Sequence, residues 1–161
     1  MANHVLRHTE AEPYTSHYAI HCGEEFYVMI LLLNLALGLT LKRSREDLTF
    51  KKTNAFFMVY NYSDKKKGVD LWVYNNLYKG SDVKQKNNTL FENDFKGFFL
   101  LPEISSVDYI LKFSGDEVIF TPFLSKINSI KEVISVYRIP KNKLKSKENL
   151  MKPIIFYGTS I

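Results

Sequence analysis

Only one cysteine, Cys22, occurs in the 161 residues. That excludes an internal disulfide and a metal cage of thiolates. A lone thiol beside an apolar run reads as a small core residue rather than a nucleophile. Histidine is also scarce, and His4, His8, His17 and His21 all fall near the start. His17 and His21 share a strand face, yet extended chain separates them by ~13 Å. That is too far for one metal ion, and no third ligand is evident. The seven glycines and five prolines form no phosphate-cradling loop, nucleophile elbow or interdomain linker, and a Cys-x-x-Cys pair is absent. No metal or cofactor is expected. The longest apolar run, Phe26–Leu41, is shorter than the ~20 residues of a membrane span, and Asn34, Gly38 and Thr40 interrupt it. A buried helix is the better reading. The opening MANHVLRHTEAEP has no apolar stretch of the kind a signal peptide needs and carries acids early. A cytoplasmic protein without a membrane span is therefore expected.

What is present is ordinary for a folded domain. Apolar residues make up 45% of the chain and charged residues 24%, enough for one real core at this length. One domain is expected, with residues 1–15 and 151–161 as tails. The net charge of +5 is concentrated in residues 42–67 and 141–161. Those segments are either solvated loops or a surface for an acidic partner.

The residue pattern predicts a strand at Tyr18–Cys22 and then an apolar helix at Glu24–Leu37, which Gly38 stops. Leu39–Phe50 reads as extended and basic. Ala55–Tyr62 and Val69–Asn75, joined by SDKKKG, read as a β-hairpin. Strands are expected at Phe98–Leu101, Val107–Phe113 and Val133–Ile139. A helix over 121–130 would be capped by Thr121 and begun by Pro122. The order is α+β, an antiparallel or mixed sheet with two main helices. Two βαβ units would allow a ferredoxin-like arrangement extended by the hairpin.

Leu101–Tyr109 reads LPEISSVDY and resembles the signature of the IPExxxVDY proteins, a bacterial family. Leu33–Phe50 (LNLALGLTLKRSREDLTF), Trp72, Leu90–Phe91 and Leu144–Leu150 (LKSKENL) extend the resemblance over most of the chain. Leu101 stands where the pattern has isoleucine, and Met151–Ile161 runs past the usual family end. The family has no established activity, so the resemblance implies none here. Its signature residues correspond to Leu101, Pro102, Glu103, Val107, Asp108 and Tyr109.

Glu103 and Asp108 invite an acid–base reading. In an extended segment they would lie roughly 16 Å apart and face opposite ways. The preferred expectation is structural: Pro102 and Glu103 shape a turn, Asp108 bonds a neighbouring backbone or lysine, and Tyr109 packs inward. Val107, Tyr109, Leu111 and Phe113 should share one face. The hairpin is apolar on both faces, which requires a cover on each side, from the chain or from a partner. The leading expectation is a non-catalytic module acting through protein contacts, with itself or another protein. An RNA-binding accessory protein is the alternative, using Lys42, Arg43, Arg45, Trp72, Tyr74 and a ladder of Lys141, Lys143, Lys145 and Lys147. A small-ligand regulatory domain is the third.

Overall fold

In the computed structural model, residues 14–51, 53–80 and 97–150 are described. Ten strands and two helices follow in the order β1 (Thr15–Cys22), α1 (Phe26–Leu37), β2 (Lys42–Arg43), β3 (Leu48–Phe50), β4 (Ala55–Phe57), β5 (Val59–Asp64), β6 (Val69–Asn75), β7 (Leu77–Lys79), β8 (Gly97–Phe99), β9 (Tyr109–Ser114), α2 (Glu117–Asn128) and β10 (Val133–Arg138). Short 3-10 turns occupy Pro102–Ile104, Lys141–Lys143 and Lys147–Leu150. The fold is α+β.

Six strands form the main sheet in the order β10-β1-β9-β6-β5-β2, with every neighbouring pair antiparallel. It follows that β1 and β6 run parallel with β9 between them, and β9 and β10 run parallel with β1 between them. These are two interleaved split β-α-β units, the ferredoxin-like strand order. The segment β2–β5 is inserted between α1 and β6. Its last strand pairs with β6 as a hairpin, with Lys65–Gly68 as the turn, but the expected first strand Ala55–Tyr62 is broken at Met58: Ala55–Phe57 pairs with β3 and only Val59–Asp64 pairs with β6. Asp64 Oδ1 accepts from the N–H groups of Lys66 and Lys67 at 3.0 and 3.2 Å. Two small antiparallel pairs, β3 with β4 and β7 with β8, stand apart from the main sheet.

Both helices pack on one face of the sheet. Phe26, Met29, Ile30, Leu33 and Leu37 of α1 and Phe120 and Ile127 of α2 meet Tyr18, Ile20, Leu71, Leu111 and Phe113. Gly38 ends α1 in the left-handed conformation (φ 65°) and donates to Asn34 O, as a helix-stopping glycine should. The Asn34 side chain also accepts from Leu41 N at 2.7 Å, which turns the chain back toward β2.

The second helix begins earlier than its proline suggests. Asp116, not Thr121, is the N-cap, and its side chain accepts from Val118 N at 2.9 Å. Pro122 lies inside the helix, while Thr121 Oγ1 donates to Glu117 O at 3.0 Å. A carboxylate that satisfies a free N–H one turn earlier outweighs the preference of proline for the first position. Just before this cap, Gly115 (φ +145°) lies so close to the hairpin tip that a Cβ would meet Gly68 O at 2.9 Å.

The opposite face of the sheet is covered by the chain itself. Ala19, Val59, Trp72, Tyr74 and Ile110 are buried beneath Ala55, Phe57, Leu100, Leu101, Val107, Ile139, Leu144 and Leu150. The two-sided apolar hairpin is thus explained by intramolecular packing. Thr15, expected in a tail, belongs to β1; residues 1–13 and 151–161, like Leu90–Phe91, lie outside the described residues. None of the described helices is long and apolar enough to cross a membrane.

Candidate functional site

The signature folds into a tight loop held by a residue outside it. Asn76 is fully buried. Its Nδ2 donates to Ile104 O at 3.0 Å and Val107 O at 2.9 Å, and its Oδ1 accepts from Leu101 N at 2.9 Å. Its own N–H donates to Asp108 O, and its carbonyl accepts from Leu100 N. One side chain and its peptide groups thereby satisfy five backbone groups in a segment with no ladder of its own. Leu101 is buried, and Pro102 begins a 3-10 turn, where its missing N–H costs nothing. Val107 closes the turn by donating to Ile104 O at 3.0 Å. Strand β9 starts only at Tyr109, so Val107 joins the second-face core while Tyr109, Leu111 and Phe113 join the helix-face core. The expected four-residue face therefore lacks its first member.

The two signature carboxylates serve different neighbours. Glu103 Oε1 accepts from Ser146 N at 2.8 Å, which fastens the C-terminal turns. Partial burial pushes its pKa up, but hydrogen bonds from the Ser146 backbone and side chain outweigh this and hold it below the usual carboxylate range. Asp108 Oδ2 accepts from Cys22 N at 3.0 Å, at the bulge where β1 gives way to α1. Tyr109 completes the anchor. Its hydroxyl donates to Glu24 O, and its ring stacks on Phe26 with centroids 5.1 Å apart. The expected backbone bond of Asp108 and the inward packing of Tyr109 are both present.

Chemistry at this corner is limited. His21 Nδ1 lies 4.0 Å from Asp108 Oδ2, and Tyr137 Oη lies 3.5 Å from His21 Nε2. Both distances exceed the reach of an efficient proton transfer. Asp108 and Tyr137 are exposed and His21 is half-buried, with Asp108 47% exposed. Burial raises the pKa of the Cys22 thiol, with the Glu24, Asp108 and Glu132 carboxylates acting in the same direction. Cys22 is accordingly a core thiol. Among the described residues, no group of three or more His, Cys, Asp or Glu is placed to hold a metal ion.

The structure separates the proposed RNA contacts. Trp72 and Tyr74 are 6% and 0% exposed, so neither offers a face on which a base could stack. Tyr74 Oη donates to Leu150 O at 3.3 Å, and Lys112 Nζ donates to the same carbonyl at 3.0 Å. Lys42 and Arg43 lie on β2 at one edge of the sheet, and β10, which leads to Lys141, lies at the other. Arg43 holds both oxygens of Asp47 at 2.6 and 2.9 Å. Arg45 is exposed in the bend that follows β2. Lys141, Lys143, Lys145 and Lys147 are exposed, but two 3-10 turns replace the expected extended ladder. The cause is the burial of Leu144 and Leu150, which draws this segment down onto the second sheet face. Beneath it, burial and the charges of Lys112, Lys147 and Lys141 lower the pKa of His17 to about 4.

The unsatisfied surface lies elsewhere, on α1. Its twelve residues, FYVMILLLNLAL, include no charged side chain. The buried positions use up one side of the helix, leaving Tyr27, Leu31 and Leu35 exposed at 69%, 58% and 73%. Their spacing of four residues places them in one outward stripe. Beside it runs an open groove of about 480 Å³, lined by Leu32, Leu35, Ala36 and Ile130 and rimmed by Lys126, Lys131 and Glu132. The uniformly apolar helix signalled in sequence that some of this surface needs a cover. It did not disclose which face the sheet would leave out. Asn76 was the residue missed entirely, because a single asparagine at a strand end signals only a turn. No protein-family model matches this chain, and no curated protein matches it significantly.

Proposed function

We propose that this protein is a non-catalytic interaction module that docks another protein surface on the outward face of α1. The observation that carries this reading is the stripe of Tyr27, Leu31 and Leu35, three large apolar side chains exposed on an uncharged helix. Contiguous exposed apolar surface is characteristic of interaction sites, and a tyrosine between leucines suits an interface anchor. The occupation of Glu103, Asp108 and Tyr109 by backbone hydrogen bonds favours the same reading, because it accounts for the signature without substrate chemistry. The test is crosslinking at native expression followed by isolation of the protein. Wild type should carry a specific crosslinked protein on α1, and Leu31→Glu should lose it while remaining folded. Identical crosslinks from both proteins would sink the reading.

A further inference from the structure

We infer that the surface docked on α1 is a second copy of the same chain, with the two α1 helices antiparallel about a two-fold axis. This rests on the interaction reading above and specifies its partner. The distribution of charge around the helix argues for it. Glu24 and Glu25 stand exposed at the N-terminal end of α1, the stripe itself is neutral, and the groove beside Leu32, Leu35 and Ala36 is rimmed by Lys126 and Lys131 against the single carboxylate of Glu132, a net positive rim. A helix of twelve residues is about 18 Å long. Turning a second copy end for end brings its glutamates over the C-terminal half of the first helix, where the lysine rim lies. The same contact then recurs on the other side of the axis, since a two-fold interface repeats each pair reciprocally. Parallel alignment would instead set glutamates against glutamates.

The apolar surfaces match in the same arrangement. Tyr27, near the acidic end of one helix, is carried toward the groove of Leu32, Leu35, Ala36 and Ile130 on the other copy, while the Leu31 side chains meet near the axis. A standard interface covers about 800 Å² on each partner. Three side chains alone fall short of that area, so the groove must take part. A modest, concentration-dependent dimer follows.

Sedimentation equilibrium over a concentration series of the full chain provides the test. Wild type should shift from monomer toward dimer as concentration rises. Leu31→Glu, at an exposed position that the fold does not need, should weaken association by at least about 10-fold. Glu25→Lys and Lys126→Glu should each weaken it several-fold. An equimolar mixture of those two variants should recover association. In the mixed dimer, position 25 of each copy faces the opposite charge at position 126 of the other, so both reciprocal contacts are attractive. Circular dichroism checks that each variant is folded. A wild type that stays monomeric throughout overturns the inference, whether α1 is covered by another part of this chain or by a different protein. A dimer indifferent to these substitutions, or a mixture no tighter than its components, overturns it equally. If wild type is monomeric but Leu31→Glu still loses its crosslinked protein at native expression, the interaction reading survives with a different partner; if neither measurement responds, both readings fail.

Discussion

The signature loop and the outward face of α1 lie at opposite extremes of the same molecule. The loop is rich in polar residues, and its two carboxylates, its tyrosine hydroxyl and several of its backbone groups are engaged: Asn76 holds its backbone, Glu103 holds Ser146, Asp108 holds Cys22, and Tyr109 holds Glu24. The helix face is apolar, and Tyr27, Leu31 and Leu35 are left in water. The chemically eventful segment is therefore spent on holding the fold together, and the chemically plain segment is the one left without a cover. Residues that look catalytic in a list become structural once their hydrogen-bond partners are known.

Substitutions sharpen this contrast, beginning with the loop's anchor. Asn76→Ala strips the Val107 carbonyl and the Leu101 N–H of their side-chain partner in a buried site and leaves Ile104 O with the Val107 N–H alone. A loss of about 3–5 kcal/mol is expected, read by urea denaturation. A loss below about 1 kcal/mol would show that the loop does not depend on this side chain.

The second effect concerns the C-terminal cover of the sheet. His17 has a folded-state pKa of about 4 against 6.5 unfolded. Its neutral form is favoured in the native state, so the unfolded state takes up the proton first as pH falls. The associated stability is fully present above pH 6.5 and is lost as pH drops toward 4. It amounts to ~2–3 kcal/mol once solvent screening of the half-buried ring is allowed for. His17→Gln cannot take up that proton and should lose correspondingly less stability between pH 7 and pH 4. Equal losses in the two proteins would remove His17 from the account.

Much of the framework was legible before the fold was known, for identifiable reasons. The aromatic and β-branched runs of β5 and β6 around a polar, glycine-ending loop, the apolar density of α1 and the stop at Gly38 are local patterns, and each survives in the structure. Tertiary pairing was less legible. The start of α2 was misplaced because Asp116 offered a cap upstream of the more conspicuous Thr121–Pro122. Trp72 and Tyr74 were assigned to a surface because their cover, Leu144 and Leu150, lies 70 or more residues away in sequence. The lysine ladder was read as extended for the same reason. In the signature, strand alternation placed Tyr109 correctly but failed at Val107, which precedes the strand. Asn76 acts through contacts 25 to 31 residues distant, and no local pattern announces them.

A smaller effect is expected at Asp108. Asp108→Ala removes the acceptor for Cys22 N at a solvent-open corner, a loss of about 1 kcal/mol, and Asp108→Asn should retain part of it. Protein contacts should be unchanged in both. Leu31→Glu should alter stability least, by less than about 0.5 kcal/mol, because its side chain is already 58% exposed.

The decisive measurement sets Asp108→Ala and Leu31→Glu side by side, recording urea stability and native crosslinking for each. The expected result is a crossed pattern: Asp108→Ala loses stability and keeps the crosslinked partner, while Leu31→Glu keeps stability and loses it. The reverse pattern, in which folded Asp108→Ala loses the partner and Leu31→Glu retains it, would return the working surface to the signature and contradict the account.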